Sequence, residues 1–233
     1  WIKLCINSVR KQNYENYVHY LVDDISTDKT SERVEEIIKD NDKFFLIKNK
    51  SKKFALQNIS DTLDSIDISD DDIVVILDGD DWLASQNVLG SLNEEYEKTN
   101  CLMTYGSYVE YPSLKRGKFS RKIPKDIIDN QSYRQSAWMS SHLRTFRYKL
   151  WKKIDKKDFI NDDTGKFFKA AWDLAFVFPM LEMCGDRARH MEEVLYIYNR
   201  TNPLNEDKVD HPLQLSEENQ VRNRKKYKYE ESI

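Results

Sequence analysis

Apolar positions recur along this chain with two periods, and their alternation sets out a series of strands and helices. Ile2, Cys5 and Val9 share one face at helical spacing, so the sequence opens within a helix. Residues 18–22 form a short run of branched and aromatic side chains that ends in Asp23, Asp24, Ile25, Ser26, Thr27 and Asp28, which reads as a strand entering an acidic loop. The hydroxyls of Ser26 and Thr27 and the carboxylate of Asp28 suit the start of a helix whose apolar face is Val34, Ile37 and Ile38. The unit then repeats, with a strand over 44–47 and a helix lined by Leu56, Ile59, Leu63 and Ile66. Residues 73–77, IVVIL, are apolar without alternation, as in a strand covered on both faces, and predict a central strand. A helix capped by Ser85 follows, with Val88, Leu89, Leu92 and Tyr96 inward, and then a strand over 101–111. Strands alternating with helices predict an α/β sheet with right-handed crossovers.

The texture changes after Tyr111. Residues 112–125 carry Lys115, Arg116, Lys118, Arg121, Lys122 and Lys125 with one glycine and two prolines, the pattern of an exposed loop. Helical pieces are expected over 142–154 and 172–184, and a strand over 194–198. From Asn205 the chain is almost uniformly polar, and its basic cluster at 222–228 reads as a solvated helix or frayed tail.

Composition narrows the classes. Across 233 residues, 39% are hydrophobic and 33% charged, enough apolar side chains for a folded core and enough charge for a wet surface. Lys plus Arg at 37 against Asp plus Glu at 40 leaves a net charge of -3, which gives no bulk attraction to nucleic acid or an anionic membrane. The apolar run at 174–181, interrupted by Pro179, is far short of the roughly twenty residues that cross a bilayer. Cys5, Cys101 and Cys184 are widely spaced and odd in number, which reads as buried thiols in a reducing compartment. With no secretory signal in the opening residues, the expected location is the cytoplasm.

Two acidic stretches are the candidates for chemistry. In LDGDDWL, Asp78, Asp80 and Asp81 cluster directly after the 73–77 strand, at the end where ligands bind in open α/β sheets. Three like charges in four residues repel, and a hard divalent cation such as magnesium or manganese relieves them; the bland alternative is an acidic surface turn bent at Gly79. In LVDDISTDKT, Asp23 or Asp24 offers a carboxylate to the hydrogen-bond donors of a nucleotide, or else simply caps a helix.

The strand followed by VDDISTDKT, then VVILDGDDWL about fifty residues on, resembles the family 2 glycosyltransferases of GT-A fold. The stretches HLRTFRYKLW, AWDLAF and EVLYIYN extend the resemblance over roughly residues 1–202. It implies a Rossmann-like, mixed but mostly parallel sheet flanked by helices. It also implies a metal-dependent, inverting transfer of a sugar from a nucleotide donor, most often a UDP-sugar, to an acceptor hydroxyl. The domain would span 1–204, with a nucleotide-binding half at 1–111, an acceptor and catalytic half at 112–204, and a polar tail at 205–233.

Carried over by residue, Asp23 or Asp24 would meet the nucleobase with Ser26 beside it. Asp78 would meet the ribose and a metal-bound water, Asp80 the Mn2+ or Mg2+ ion, and Asp81 the donor sugar. Asp173 in AWDLAF would be the base, with Asp162 and Asp163 in reserve. His142 is expected as a further metal ligand, with His190 and His211 as other candidates, and Trp82, Trp138 and Trp172 as platforms for a sugar ring.

Two departures stand out. The family's opening strand and its base-wrapping loop lie outside this sequence. In NKSKKFALQN, Lys52, Lys53 and Gln57 stand where members carry glycine and arginine, which leaves Lys53 as the candidate phosphate contact. Glycan, protein, lipid and small-molecule acceptors all stay open, and the loop at 113–125 is a candidate acceptor cover. The competing readings are a haloacid-dehalogenase-like phosphoryl-transfer enzyme and a GT-A-like module that binds carbohydrate or a partner without turnover.

Overall fold

The computed structural model describes residues 1–205, 210–231 and 233. Its core is a curled six-stranded sheet between two layers of helices. Along the sheet run β3 (Ile73–Ile76), β7 (Arg144–Arg147), β5 (Met103–Tyr111), β10 (Ala188–Asn199) and β4 (Trp82–Leu83), with β6 (Lys115–Arg116) pairing to β5. A separate parallel pair, β1 (His19–Asp23) with β2 (Phe44–Lys48), follows the expected strand positions closely. A short antiparallel pair, β8 (Ile160–Asn161) with β9 (Lys166–Phe167), stands apart.

The sheet is mixed, as expected, and its longest ladder, β5–β10, is parallel. Among the described residues β1–β2 and β5–β10 run parallel, and β3–β7, β5–β7, β5–β6, β4–β10 and β8–β9 antiparallel.

The IVVIL strand is covered on both faces. Val74 and Ile76 pack into one apolar cluster, Val75 and Leu77 into the other. It is nevertheless terminal in its sheet rather than central, pairing only with β7 among the described residues, so each of its side chains stays half-buried. Periodicity reports covered faces and is blind to which edge finds a hydrogen-bonding neighbour.

One helical layer contains α1 (Ile2–Arg10), α2 (Thr30–Ile38) and α4 (Val88–Thr99), which bury Ile6, Val9, Val34, Val88 and Leu92 together. The other contains α3 (Phe54–Ser65), α5 (Lys125–Asp129), α6 (Tyr148–Lys152) and α7 (Trp172–Cys184), around the larger cluster. The helix expected over 142–154 is therefore a strand followed by a five-residue helix. Its HLRTFR segment has period two, with Arg144 and Phe146 toward α7 and Leu143 and Thr145 toward α4.

All three cysteines are buried and unpaired. No helix among the described residues is long and apolar enough to cross a membrane.

The segment over 210–224 is docked rather than solvated. It carries α8 (His211–Asn223), capped by Asp210 through the Leu213 N–H at 3.0 Å, with Glu217 and Val221 buried. Arg222 donates to the carbonyls of Arg134 and Ser136 at 2.6 and 3.0 Å, and Arg224 pairs with Asp162 at 2.8 Å. The buried stripe escaped the hydrophobic pattern because its central residue is a glutamate.

Candidate active site

The β3 strand delivers the acidic loop. Asp78 lies two residues beyond Ile76, whose partner across the ladder is Arg144 at the start of β7. The loop is clamped from α1: Ser8 Oγ accepts the Leu83 N–H at 3.0 Å, and Gln12 spans from the Ser85 carbonyl at 2.6 Å to the Leu89 N–H at 3.0 Å.

Within the loop, the three carboxylates have different fates. Asp81, expected to face the donor sugar, is only 1% exposed. Its Oδ1 accepts the Asn199 N–H at 2.7 Å and its Oδ2 the Tyr196 hydroxyl at 2.6 Å, so it braces the loop against β10. Burial and the charges of Asp78 and Asp80 push its carboxyl above the usual range. Asp78 keeps a half-open carboxylate, also raised chiefly by burial, against which the Arg144 guanidinium works. Asp80 accepts from the Asn202 amide at 2.7 Å.

His142 lies over this group, its Nδ1 4.0 Å from Asp78 Oδ2. Its ring stacks on Tyr196 at 4.6 Å and Tyr198 at 5.3 Å, with the edge of Tyr108 against it. Burial holds the imidazole neutral, well below its ordinary range. The carboxylates of Asp78 and Asp80 are the hard oxygen donors that manganese or magnesium takes. Among the described residues, however, no three such side chains stand at metal-binding spacing.

Across from the acidic loop, α7 presents Asp173. Every other residue of this helix is buried, so Asp173 is its one opening. Asp173 Oδ2 accepts from Arg144 at 2.9 Å, and Oδ1 accepts the Leu174 N–H at 3.0 Å. Burial raises its carboxyl, and Arg144 opposes that rise. Arg144 itself is 1% exposed and lies over the Trp172 ring at 5.2 Å. One buried cation thus faces both the β3 tip and the α7 carboxylate.

The other acidic stretch is linked to the same region by contacts. Asp24 does not serve α2; it caps α3, accepting from the Lys53 and Phe54 N–H at 2.9 and 2.8 Å and from Asn49 at 2.7 Å. Its burial opposes ionisation, yet those donors and Lys52 hold its carboxyl below the ordinary range. Asp23 accepts the Ser26 N–H at 3.2 Å, and Ser26 itself is exposed. Phe54, seated by Asp24, lies under the Lys169 ammonium at 4.7 Å, four residues before Asp173.

Other candidates fall elsewhere. The Lys53 ammonium is held by Asp61 at 2.8 Å rather than standing free for a phosphate. Asp162 and Asp163 pair with Arg224 and Gln220 beside α8, His190 lies near Ser107 and Tyr105, and His211 is exposed at the start of α8. Trp138 packs on Phe178 in the core and Trp172 is covered by Arg144, which leaves half-buried Trp82, edge-on to Tyr111 at 5.3 Å, beside the acidic loop.

The basic arm at 113–125 passes close by. Gly117 lies flat on the Tyr108 ring, where any Cβ would collide, and Ser120 bridges to Ser140 just ahead of His142.

The pattern of motifs did not identify Arg144, Tyr196, Asn199 or Asn202. The signal for Arg144 was present, as a cation at a core-facing position of an alternating strand.

A family model described as Glycosyl transferase family 2 matches residues 1–174 of the chain. A search of curated proteins finds no match. Among solved structures, the fold is similar to S. aureus TarS 1–349 in complex with UDP-GlcNAc, at 15% identity and a TM-score of 0.66 over 90% of this chain and 58% of that one. It is also similar to S. aureus TarS 1–349 without that ligand, at 17% identity and 0.61 over 85% and 56%. The mannosyltransferase PcManGT from Pyrobaculum calidifontis, in complex with GDP-Man and Mn2+, aligns at 16% identity and 0.54 over 84% and 52%. The chain thus spans little more than half the length of the structures it resembles. With an α/β fold of GT-A type and a family match that takes in both acidic loops and reaches Asp173, the chain belongs to glycosyl transferase family 2.

Proposed function

We propose that the chain transfers a sugar from a nucleotide donor, a UDP-sugar, to an acceptor hydroxyl with inversion, assisted by Mn2+ or Mg2+. The observation that carries this reading is the convergence of Asp78, at the β3 tip, and Asp173, at the α7 tip, on the buried Arg144. Family membership sets aside the phosphoryl-transfer reading.

Asp173 is the base. Its partly open carboxylate takes the proton from the acceptor hydroxyl as that oxygen bonds to the sugar's anomeric carbon, while the bond from that carbon to the diphosphate oxygen breaks on the opposite face. Arg144 keeps Asp173 ionised and aimed, since its N–H at 2.9 Å favours the charged form. Asp80 and Asp78 would hold the cation, which would supply positive charge to the departing diphosphate. Asp23 is the open carboxylate for the nucleobase, because Asp24 is occupied at the start of α3. Asp81 acts through Tyr196, keeping the loop in shape.

Calorimetric titration of UDP with and without Mn2+ tests the reading, followed by a hydrolysis screen of nucleotide sugars. Metal-dependent binding that Asp80→Ala abolishes in a folded variant is expected. Equal heats with and without metal, and no sugar hydrolysed, would leave a GT-A module without turnover.

A further inference from the structure

Glu217 of α8 makes no ion pair among the described residues, although it is only 2% exposed. Its carboxylate is satisfied by four N–H donors instead. Oε2 accepts the backbone N–H of Lys169 at 2.9 Å, Ala170 at 2.7 Å and Ala171 at 3.4 Å, and Oε1 accepts the Asn161 side-chain amide at 3.0 Å. The three backbone donors are consecutive and lead directly into α7, whose first residue is Trp172 and second Asp173.

The three N–H groups precede α7, on the segment that ends at its N-cap Ala171, so a buried carboxylate that accepts all three fixes the direction in which the chain enters the helix. The α7 entry has no side-chain cap of its own. The anchor therefore comes from 46 residues further along the chain, on a helix that Arg134 and Arg222 lash to the body.

We infer that Glu217 is a positioning residue for Asp173: by gripping residues 169–171 from α8, it sets where the α7 carboxylate meets Arg144. This rests on the reading of Asp173 as the base. The same grip holds Lys169, whose ammonium lies over the Phe54 ring at the α3 start. The α8 helix thereby becomes a working part of the catalytic half rather than an appendage.

The test compares Glu217→Gln and Glu217→Ala in the full chain. The amide of Gln fills the same space and keeps one acceptor, whereas Ala leaves all four donors unmet. A misplacement on the order of 1 Å can cost about 100-fold in rate, so a kcat loss of about 10- to 100-fold is expected for Ala and a smaller loss for Gln, with donor KM unchanged. Hydrogen exchange gives a readout independent of turnover: amides of 169–173 should lose protection in both variants, most in Ala, while those of α4 do not.

If both variants keep kcat within twofold of the parent, the inference is overturned. Should the Ala variant fail to fold, the Gln variant decides by the same criteria. If the parent hydrolyses no nucleotide sugar, the proposed function fails separately. In that event unchanged protection at 169–173 in Glu217→Gln overturns the anchoring role on its own.

Discussion

Tyr196→Phe removes one oxygen and isolates the brace that shapes the acidic loop. The hydroxyl donates to Asp81 Oδ2 at 2.6 Å and accepts the Asp78 N–H at 3.4 Å, and Asp81 is 1% exposed, so water cannot replace the lost donor. Leaving one oxygen of a buried carboxyl unmet costs about 1–3 kcal/mol. The ring keeps its place on His142, so packing contributes little to the change. The expected destabilisation is about 2 kcal/mol, which lowers Tm by about 4–8 °C for a chain of this size. Urea unfolding followed by tryptophan fluorescence measures it, and a double-mutant cycle with Asp81→Asn assigns it to the contact. The phenylalanine substitution should cost less than half as much in the asparagine background. A Tyr196→Phe protein within about 0.5 kcal/mol of the parent, or a cost unchanged by Asp81→Asn, would refute the brace.

Asp173→Asn should retain UDP binding by calorimetry and lose transfer, because an amide cannot take the acceptor proton; normal turnover would remove Asp173 as the base. In Arg144→Gln, the carboxyl of Asp173 loses the cation that opposes its burial, so its pKa rises and the acidic limb of kcat/KM moves to higher pH; an unmoved limb would contradict this. Arg134→Met strands Glu182, 0% exposed, without the cation that holds both its oxygens at 2.7 and 2.9 Å, and chemical denaturation should show a loss of about 3–5 kcal/mol. The His19 ring is held neutral by burial down to about pH 4, against an ordinary value of 6.5. The unfolded chain takes the proton first, so stability should fall by about 3 kcal/mol as pH drops from about 6.5 to 4, and His19→Gln should flatten that slope in urea titrations.

The sequence carried the local elements and much less of their pairing. β1, β2, α3 and α4 were legible because each has an apolar face with a clear period and a polar stop. The order β3-β7-β5-β10-β4 was not, since hydrogen-bond partners far apart in the chain leave no periodic trace. The acidic loops were legible as candidates from charge crowding alone. Their division of labour was not: Asp81 and Asp24 turn inward to satisfy N–H and O–H donors, while Asp78 and Asp23 stay partly open. Glu217 was invisible because a buried carboxylate looks like surface in any hydropathy pattern.

The ladder between β3 and β7 sets Ile76 against Arg144, and in the proposed function it is the vernier between the donor and acceptor sides of the chemistry. Sliding it by one position would turn Arg144 toward α4 and bring a neighbouring side chain to face α7, stripping Asp173 of its counter-charge in a single step. In the proposed function, substitutions in the arm at 113–125, whose basic side chains are exposed, should change acceptor preference, whereas an insertion or deletion in β3 or β7 should cost turnover. Libraries built to test the proposed acceptor role should spare these two strands and diversify the arm.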